Sequence, residues 1–357
     1  MGTEGLLRAG VAILGLGGPI AVGVLSGHAG IWMVAALGSF ALTRSAGDHG
    51  MRGEALSLLR AIAAGTAAIL TGSAMAGHAP WLAFGIPLTI AAAGLLGSLS
   101  RPLARAAVLF GLYTIIATGL GARGIHPLGA ALLFLLGATW TACLSLGLGS
   151  LFRALHPFPL PPAADDAARP SGPGARRLLR RWLGALAHLS GWQYPLRILV
   201  CLFAAQAFES LRPLHHGYWV GLTVAIVVQR DLRDSRRRAL QRAAGTALGV
   251  LLVCPLLIFA PPAWAVIATL IALAAARPIL REASYVAYAM VHTPAIILLM
   301  DFGRAPSWAV VGDRLIATLV GCAIAIAIGY LPWQGRLRLS RQTRRLPLFD
   351  RSRHGKP

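Results

Sequence analysis

The feature that most limits what this chain can become is the placement of its arginines against its apolar stretches. Six such stretches precede residue 151, at about 6–26, 30–43, 60–76, 80–99, 105–120 and 127–150. Six more follow residue 195, at about 196–211, 216–229, 243–260, 262–276, 283–300 and 314–332. If these are membrane spans and the segments between them alternate sides, all but four of the 33 basic residues fall on one side. Arg123, Arg212, Arg304 and Arg314 are left for the other side. The spans follow from hydrophobicity and the partition from charge, so their agreement sets both number and parity through the positive-inside bias. The expectation is an all-α membrane protein of about twelve transmembrane helices, with the N- and C-termini cytoplasmic.

Composition agrees: 13% of residues are charged and 56% hydrophobic, with mean hydropathy +0.67, which places the chain outside the soluble class. A net charge of +21 would ordinarily suggest nucleic acid, but here the charge is distributed over loops, without a folded basic face or groove-reading element. Anionic membrane lipids are the partners that juxtamembrane arginine attracts, and no nucleic acid is expected. Cys143, Cys201, Cys254 and Cys322 each stand alone in an apolar run and read as small buried hydrophobes. The first apolar run follows a lone Arg8 without a small-residue cleavage site and reads as a retained span.

Four regions follow. Residues 1–150 form a first six-helix membrane repeat and 196–333 a second. Residues 151–195 form a cytoplasmic Pro/Arg-rich linker, and 334–357 a basic cytoplasmic tail. Within the linker, prolines from Pro157 to Pro173 give a semi-rigid spacer. Residues 176–189 predict an interfacial amphipathic helix, arginines toward headgroups and Trp182, Leu183 and Leu186 toward acyl chains. Duplication is read from Gly65-Thr66-Ala67 against Gly245-Thr246-Ala247, and from Arg101-Pro102-Leu103-Ala104-Arg105 against Arg277-Pro278-Ile279-Leu280-Arg281. Six spans per copy give both copies the same orientation. The second span of each copy is short: Gly30 to Leu42 and Gly217 to Val228 reach about 18–20 Å as helix, against about 30 Å of hydrocarbon. Short segments at matching positions point to a transport site. Trp32 and Tyr218-Trp219 near their ends read equally as interfacial belt residues.

The run His216-Gly217-Tyr218-Trp219, with Thr223-Val224-Ala225, Gln229-Arg230-Asp231-Leu232 and the stretch from Arg236 to Gly249, resembles the fusaric acid resistance (FUSC) family. Arg314-Leu315-Ile316-Ala317-Thr318-Leu319-Val320-Gly321 is similar to that family's closing span. The resemblance covers residues 195–333 and is looser over 6–150. It implies a bacterial inner-membrane protein associated with export of aromatic carboxylic acids such as fusaric acid and hydroxybenzoates. Larger members carry a cytoplasmic domain after each six-span block; here a linker and a tail stand in those places.

Ionisable groups inside a membrane mark function by default. His292, beside Thr293 and the helix-interrupting Pro294, is the candidate for proton coupling, since histidine titrates near neutral pH; a neutral, hydrogen-bonded core histidine is the bland reading. Arg242 and Gln229 flank the cytoplasmic entrance, and a guanidinium pairs with a carboxylate in bidentate fashion; anchoring a helix end to lipid phosphate is the alternative. Trp219, Tyr218 and Tyr288 are candidates for stacking on an aromatic substrate, or for plain packing. Glu209 and Arg314 are a conceivable cross-helix pair, and Gly245-x-x-x-Gly249 suits close helix contact. Phosphate-loop, H-E-x-x-H and G-x-S-x-G motifs are absent from the sequence. The expectation is therefore no enzyme, no metal and no cofactor. The chain should be a secondary transporter exporting amphipathic organic anions, with a passive anion channel or a non-transporting lipid-binding scaffold as rivals and room for a homo-oligomer.

Overall fold

The computed structural model describes residues 3–42, 51–155, 175–212, 214, 216–259, 261–300 and 307–334. The proline-rich linker with Asp165 and Asp166, Arg304 and the tail from residue 336 lie outside the described residues.

Among the described residues every regular element is helical, as lipid requires of a chain whose backbone must satisfy its own hydrogen bonds. The helices are α1 (Thr3–Leu25), α2 (Ala29–Leu42), α3 (Met51–Met75), α4 (Ile86–Leu96, entered through a π-helical turn at Trp81–Gly85), α5 (Arg101–Gly121), α6 (Pro127–Leu155) and α7 (Ala175–Leu186). They continue with α8 (Leu189–Leu211), α9 (Tyr218–Val227), α10 (Leu232–Phe259), α11 (Ala263–Ala283), α12 (Tyr285–Met300) and α13 (Trp308–Ala327). Eight are long and apolar enough to cross a membrane; α2, the Trp81–Leu96 segment, α9 and α12 are shorter apolar helices. Leucines such as Leu25, Leu132 and Leu251 lie exposed on the outside of the bundle, as a lipid-facing surface demands.

Local chemistry sets several ends. Ser100 and Ser307 adopt extended backbone and accept from Leu103 N–H and Val310 N–H, both at 3.3 Å, capping α5 and α13. Gly27 and Gly124, at φ 71° and 76°, make the tight turns after α1 and α5. Three helices run further than hydrophobicity suggests. α3 begins at Met51, α10 at Leu232, and α11 continues through Arg277-Pro278 to Ala283. A hydropathy window ends where arginine begins, whereas the backbone ladder does not. Arg242 and Arg277, expected at membrane edges, therefore lie within helices.

Within the first half α2 packs on α1 and α6, and α3 on α5 and α6; within the second α9 packs on α8 and α13, and α10 on α12 and α13. The halves meet through α1 on α11, α4 on α8, and α5 on α9. Glycine permits the tightest crossings. A Cβ at Gly38 or Gly137 would strike the carbonyl oxygen of Phe134 or Ala35 across the α2–α6 contact. Gly245 and Gly249 lie against the α12 backbone, with the Val286 and Met290 oxygens 2.8 and 2.6 Å from where a Cβ would stand. The Gly245-x-x-x-Gly249 expectation is met on that face.

The amphipathic α7 forms where expected, but the Trp182 indole N–H reaches Ser98 Oγ at 2.8 Å and the Leu95 carbonyl at 3.2 Å, so this ring docks on the end of α4. Cys143 is exposed on α6, against the expectation of burial. Trp219 is fully buried, which removes it from the interfacial belt; Trp81, Trp264 and Trp308, exposed at helix starts, suit that role.

Gly137→Val should drive a branched side chain into backbone at the α2–α6 crossing. The cost is roughly 1–3 kcal/mol, read as a lower thermal midpoint of the detergent-solubilised protein.

Candidate functional site

A guanidinium cannot be deprotonated at ordinary pH, so one buried in a bundle must find acceptors or an anion. Arg197 of α8 finds acceptors. At 2% exposure it donates from Nε to the Gly329 carbonyl (2.7 Å), from Nη1 to the Gln229 carbonyl (3.2 Å) and from Nη2 to Ser235 Oγ (3.0 Å). Ser235 Oγ in turn accepts from Gln229 N–H at 2.8 Å. This network closes the backbone just beyond α9, which at 10 residues ends after about 15 Å of rise. Non-helical backbone at such depth survives where protein groups satisfy it. Arg197, grouped by sequence with the loop arginines, is a staple inside the fold.

Arg314 of α13 has no such acceptors, and Arg242 of α10 leaves two of its nitrogens without one. Both are fully buried. Nε and Nη2 of Arg242, and Nε, Nη1 and Nη2 of Arg314, make no hydrogen bond. The two lie within each other's electrostatic reach. Arg314 places its guanidinium carbon 4.9 Å from the Trp219 ring centroid on α9. Arg277 on α11 stands 3.3 Å over the Phe40 ring of α2, touches the Phe40 carbonyl only at 3.5 Å, and leaves its buried Nε unbonded. Among the described residues no carboxylate pairs with any of the three; the ion pairs present are Arg8 with Glu282 and Arg153 with Glu54, elsewhere in the bundle.

Aromatic rings connect these cations. The His292 ring stacks between Phe40 (5.4 Å, 18°) and Tyr288 (5.1 Å, 15°). Tyr288 neighbours Tyr285 at 5.8 Å, and Arg238 stands 3.9 Å over Tyr285. Arg277, Arg242, Arg314 and Arg281 all bear electrostatically on His292, and its buried Nδ1 has no hydrogen-bond partner. The arrangement offers cationic donors and flat rings together, the two features an aromatic carboxylate needs.

The first turn of α9 separates this cluster from a cavity of about 540 Å³. The cavity opens between α3, α4 and α5 of the first half and α8 and α9 of the second, at the arginine-poor end. Arg123, Gln206, Glu209, His216 and Tyr218 line it. The His216 ring stacks on Trp219 at 4.5 Å and 12°, so the cavity wall and the Arg314 site share one stack.

Of the residues singled out from sequence, the structure brings Arg242, Trp219, Tyr288 and His292 to one region. Tyr218 faces the cavity and packs against Gly119. Gln229 stands apart: its Nε2 donates to the Ile226 carbonyl at 2.7 Å and its backbone belongs to the Arg197 network. The Glu209–Arg314 pairing does not form, since all three guanidinium nitrogens of Arg314 are without a partner. Sequence reasoning missed Arg314, Arg277 and Phe40 as site residues. The signal for Arg314 was available in a helix start at Ser307, which places the arginine two turns inside. Phe40, on the opposite half, had none. Among the described residues no three His, Cys, Asp or Glu side chains gather to hold a metal.

Residues 184–328 match the family model described as fusaric acid resistance protein-like. Inner membrane protein YccS of Escherichia coli (strain K12) is 29% identical over 162 residues, covering 43% of this chain and 22% of that protein. Uncharacterized protein slr1298 of Synechocystis sp. (strain ATCC 27184 / PCC 6803 / Kazusa) is 27% identical over 159 residues, covering 43% of this chain and 21% of that protein. The chain thus spans about a fifth of the length of these curated relatives. No solved structure matches it.

The two kinds of buried arginine make opposite predictions. Arg197→Met should lower the thermal midpoint, because it strands three acceptors. Arg314→Met should leave the midpoint unchanged or raise it, since replacing uncompensated buried charge by an apolar chain is neutral or stabilising by about 1–4 kcal/mol.

Proposed function

We propose that this chain, a multi-pass inner-membrane protein that belongs through residues 184–328 to the fusaric acid resistance-like (FUSC) family, exports amphipathic organic anions, aromatic carboxylic acids in particular. The observation that carries the reading is the set of five unbonded, buried donor nitrogens on Arg242 and Arg314 beside Trp219. A carboxylate supplies the missing acceptors, and rings on either side accept the rest of the molecule.

The accompanying topology is twelve spans in two same-orientation six-helix repeats, with both termini and the arginine-rich end in the cytoplasm. Equivalent pairings support it: α3–α5 answers α10–α12, α2–α6 answers α9–α13, and α4–α8 answers α11–α1. In that frame a substrate enters past Arg238 and Tyr285. It lays its ring along Tyr288 and His292, passes its carboxylate from Arg242 to Arg314, and leaves through the cavity on the far side of α9. The route runs along the second repeat, because Ile62, the counterpart of Arg242 by the Gly-Thr-Ala alignment, is apolar.

Inside-out vesicles should take up hydroxybenzoates saturably and against a gradient. Arg242→Gln should reduce that uptake about tenfold or more, as loss of a charge-assisted hydrogen bond of about 1.5–3 kcal/mol implies, and Arg242→Lys should restore it only in part. Currents that follow voltage alone, with no uphill accumulation, would identify a passive anion channel instead.

A further inference from the structure

The geometry points to Glu209 as the residue that takes up the driving proton, acting through the first turn of α9; this rests on the exporter reading above. Four observations converge. Glu209 supplies the carboxylate in the wall of the 540 Å³ cavity, at the end of the bundle that faces the proton source in the proposed topology. It makes no hydrogen bond or ion pair with any described residue, so among these no side chain neutralises its charge. Its side chain packs onto the backbone of Gly217, at a spot where any Cβ would collide with the carboxylate. Gly217 opens α9, where the positive end of the helix dipole attracts negative charge.

That same turn carries the barrier between cavity and arginine site. His216 and Tyr218 face the cavity, while Trp219 stacks on His216 and also lies against Arg314. A charged Glu209 is held to the start of α9 and keeps the His216–Trp219 stack shut. When a proton from outside binds a Glu209 carboxylate oxygen, the negative charge is neutralised and this attraction weakens. The stack can then part and the substrate anion leaves. The proton goes to the cytoplasm when the bundle turns inward, and the carboxylate is regenerated. One proton enters for each monoanion exported, so membrane potential and pH gradient both drive the cycle.

The charged and titratable groups facing Glu209 are Arg123 from the turn after α5, and His216 and Tyr218 from the start of α9. α3, α4 and α13 contribute uncharged residues, including Ala76, Ile86 and Val310. Arg123 is occupied in part by the Met300 carbonyl, to which its Nη1 donates at 2.6 Å. His292, the candidate from sequence, is placed differently. It is sandwiched between rings and surrounded by four arginines, where a proton would add positive charge to a positive cluster.

The test uses full-length protein in inside-out vesicles with 4-hydroxybenzoate as probe. Uphill uptake driven by a pH gradient is compared with exchange of labelled for unlabelled probe without a gradient. Glu209→Gln should lose the driven uptake about tenfold or more while exchange stays within about twofold, since a coupling residue moves drive and not binding. Glu209→Asp should recover part of the drive. Driven uptake retained in Glu209→Gln overturns the inference. So does loss of exchange together with drive in a variant whose thermal midpoint is unchanged, because Glu209 would then belong to substrate binding. A wild type that neither accumulates nor exchanges the probe brings down the exporter reading itself, and this inference with it.

Discussion

A buried arginine that no carboxylate among the described residues answers is the constraint on which this structure depends. A stray charge in the bilayer interior costs several kcal/mol even by the more lenient scales. Arg242 and Arg314 both bear that cost, within one another's electrostatic reach. Arg197, also buried but on α8, shows how the fold treats an arginine it needs for architecture: every nitrogen is given an oxygen. The contrast within one bundle is what the proposed anion site rests on, and the aromatic rings nearby are what the proposed substrate class rests on.

The short helices explain how such a site can exist. α9 ends after 10 residues, and its continuation is held by Arg197, Ser235 and Gln229. That leaves room at both of its ends: a hydrogen-bonded closure at one, and at the other a first turn that touches both the cavity and Arg314. The close helix crossings through Gly38, Gly137, Gly245 and Gly249 hold the surrounding helices by backbone contact. A site carried by one short helix inside a rigid cage can change with small movements of a single turn. Phe40 and Arg277 bring the first half into the same cluster, so the halves are joined at the proposed site.

Much of this was legible in the sequence. Apolar runs and arginine placement gave the helical membrane class, and the short second segments pointed to α9 and the residues around Trp219. Other features could not be read. Hydropathy averages blur a polar turn that continues an apolar helix, so Arg277 was assigned to a loop although it sits buried in α11. Arg314 was assigned to a helix opening although α13 begins six residues earlier. Gln229 carries the same polarity as a ligand-binding residue, and only its neighbours reveal it as part of a structural network. The stack of Phe40 on His292 joins residues about 250 positions apart in sequence, and one chain read alone contains no signal for such a meeting.

The central claim is that an aromatic carboxylate completes the Arg242–Arg314 pair beside Trp219. Equilibrium binding of a hydroxybenzoate to the purified protein, followed by tryptophan fluorescence in the wild type, in Trp219→Phe and in the Arg242→Met, Arg314→Met double variant, tests it directly. The account predicts saturable quenching in the wild type, no quenching signal in Trp219→Phe despite binding by calorimetry, and no binding by either method in the double variant. Undiminished hydroxybenzoate affinity in the double variant would contradict it.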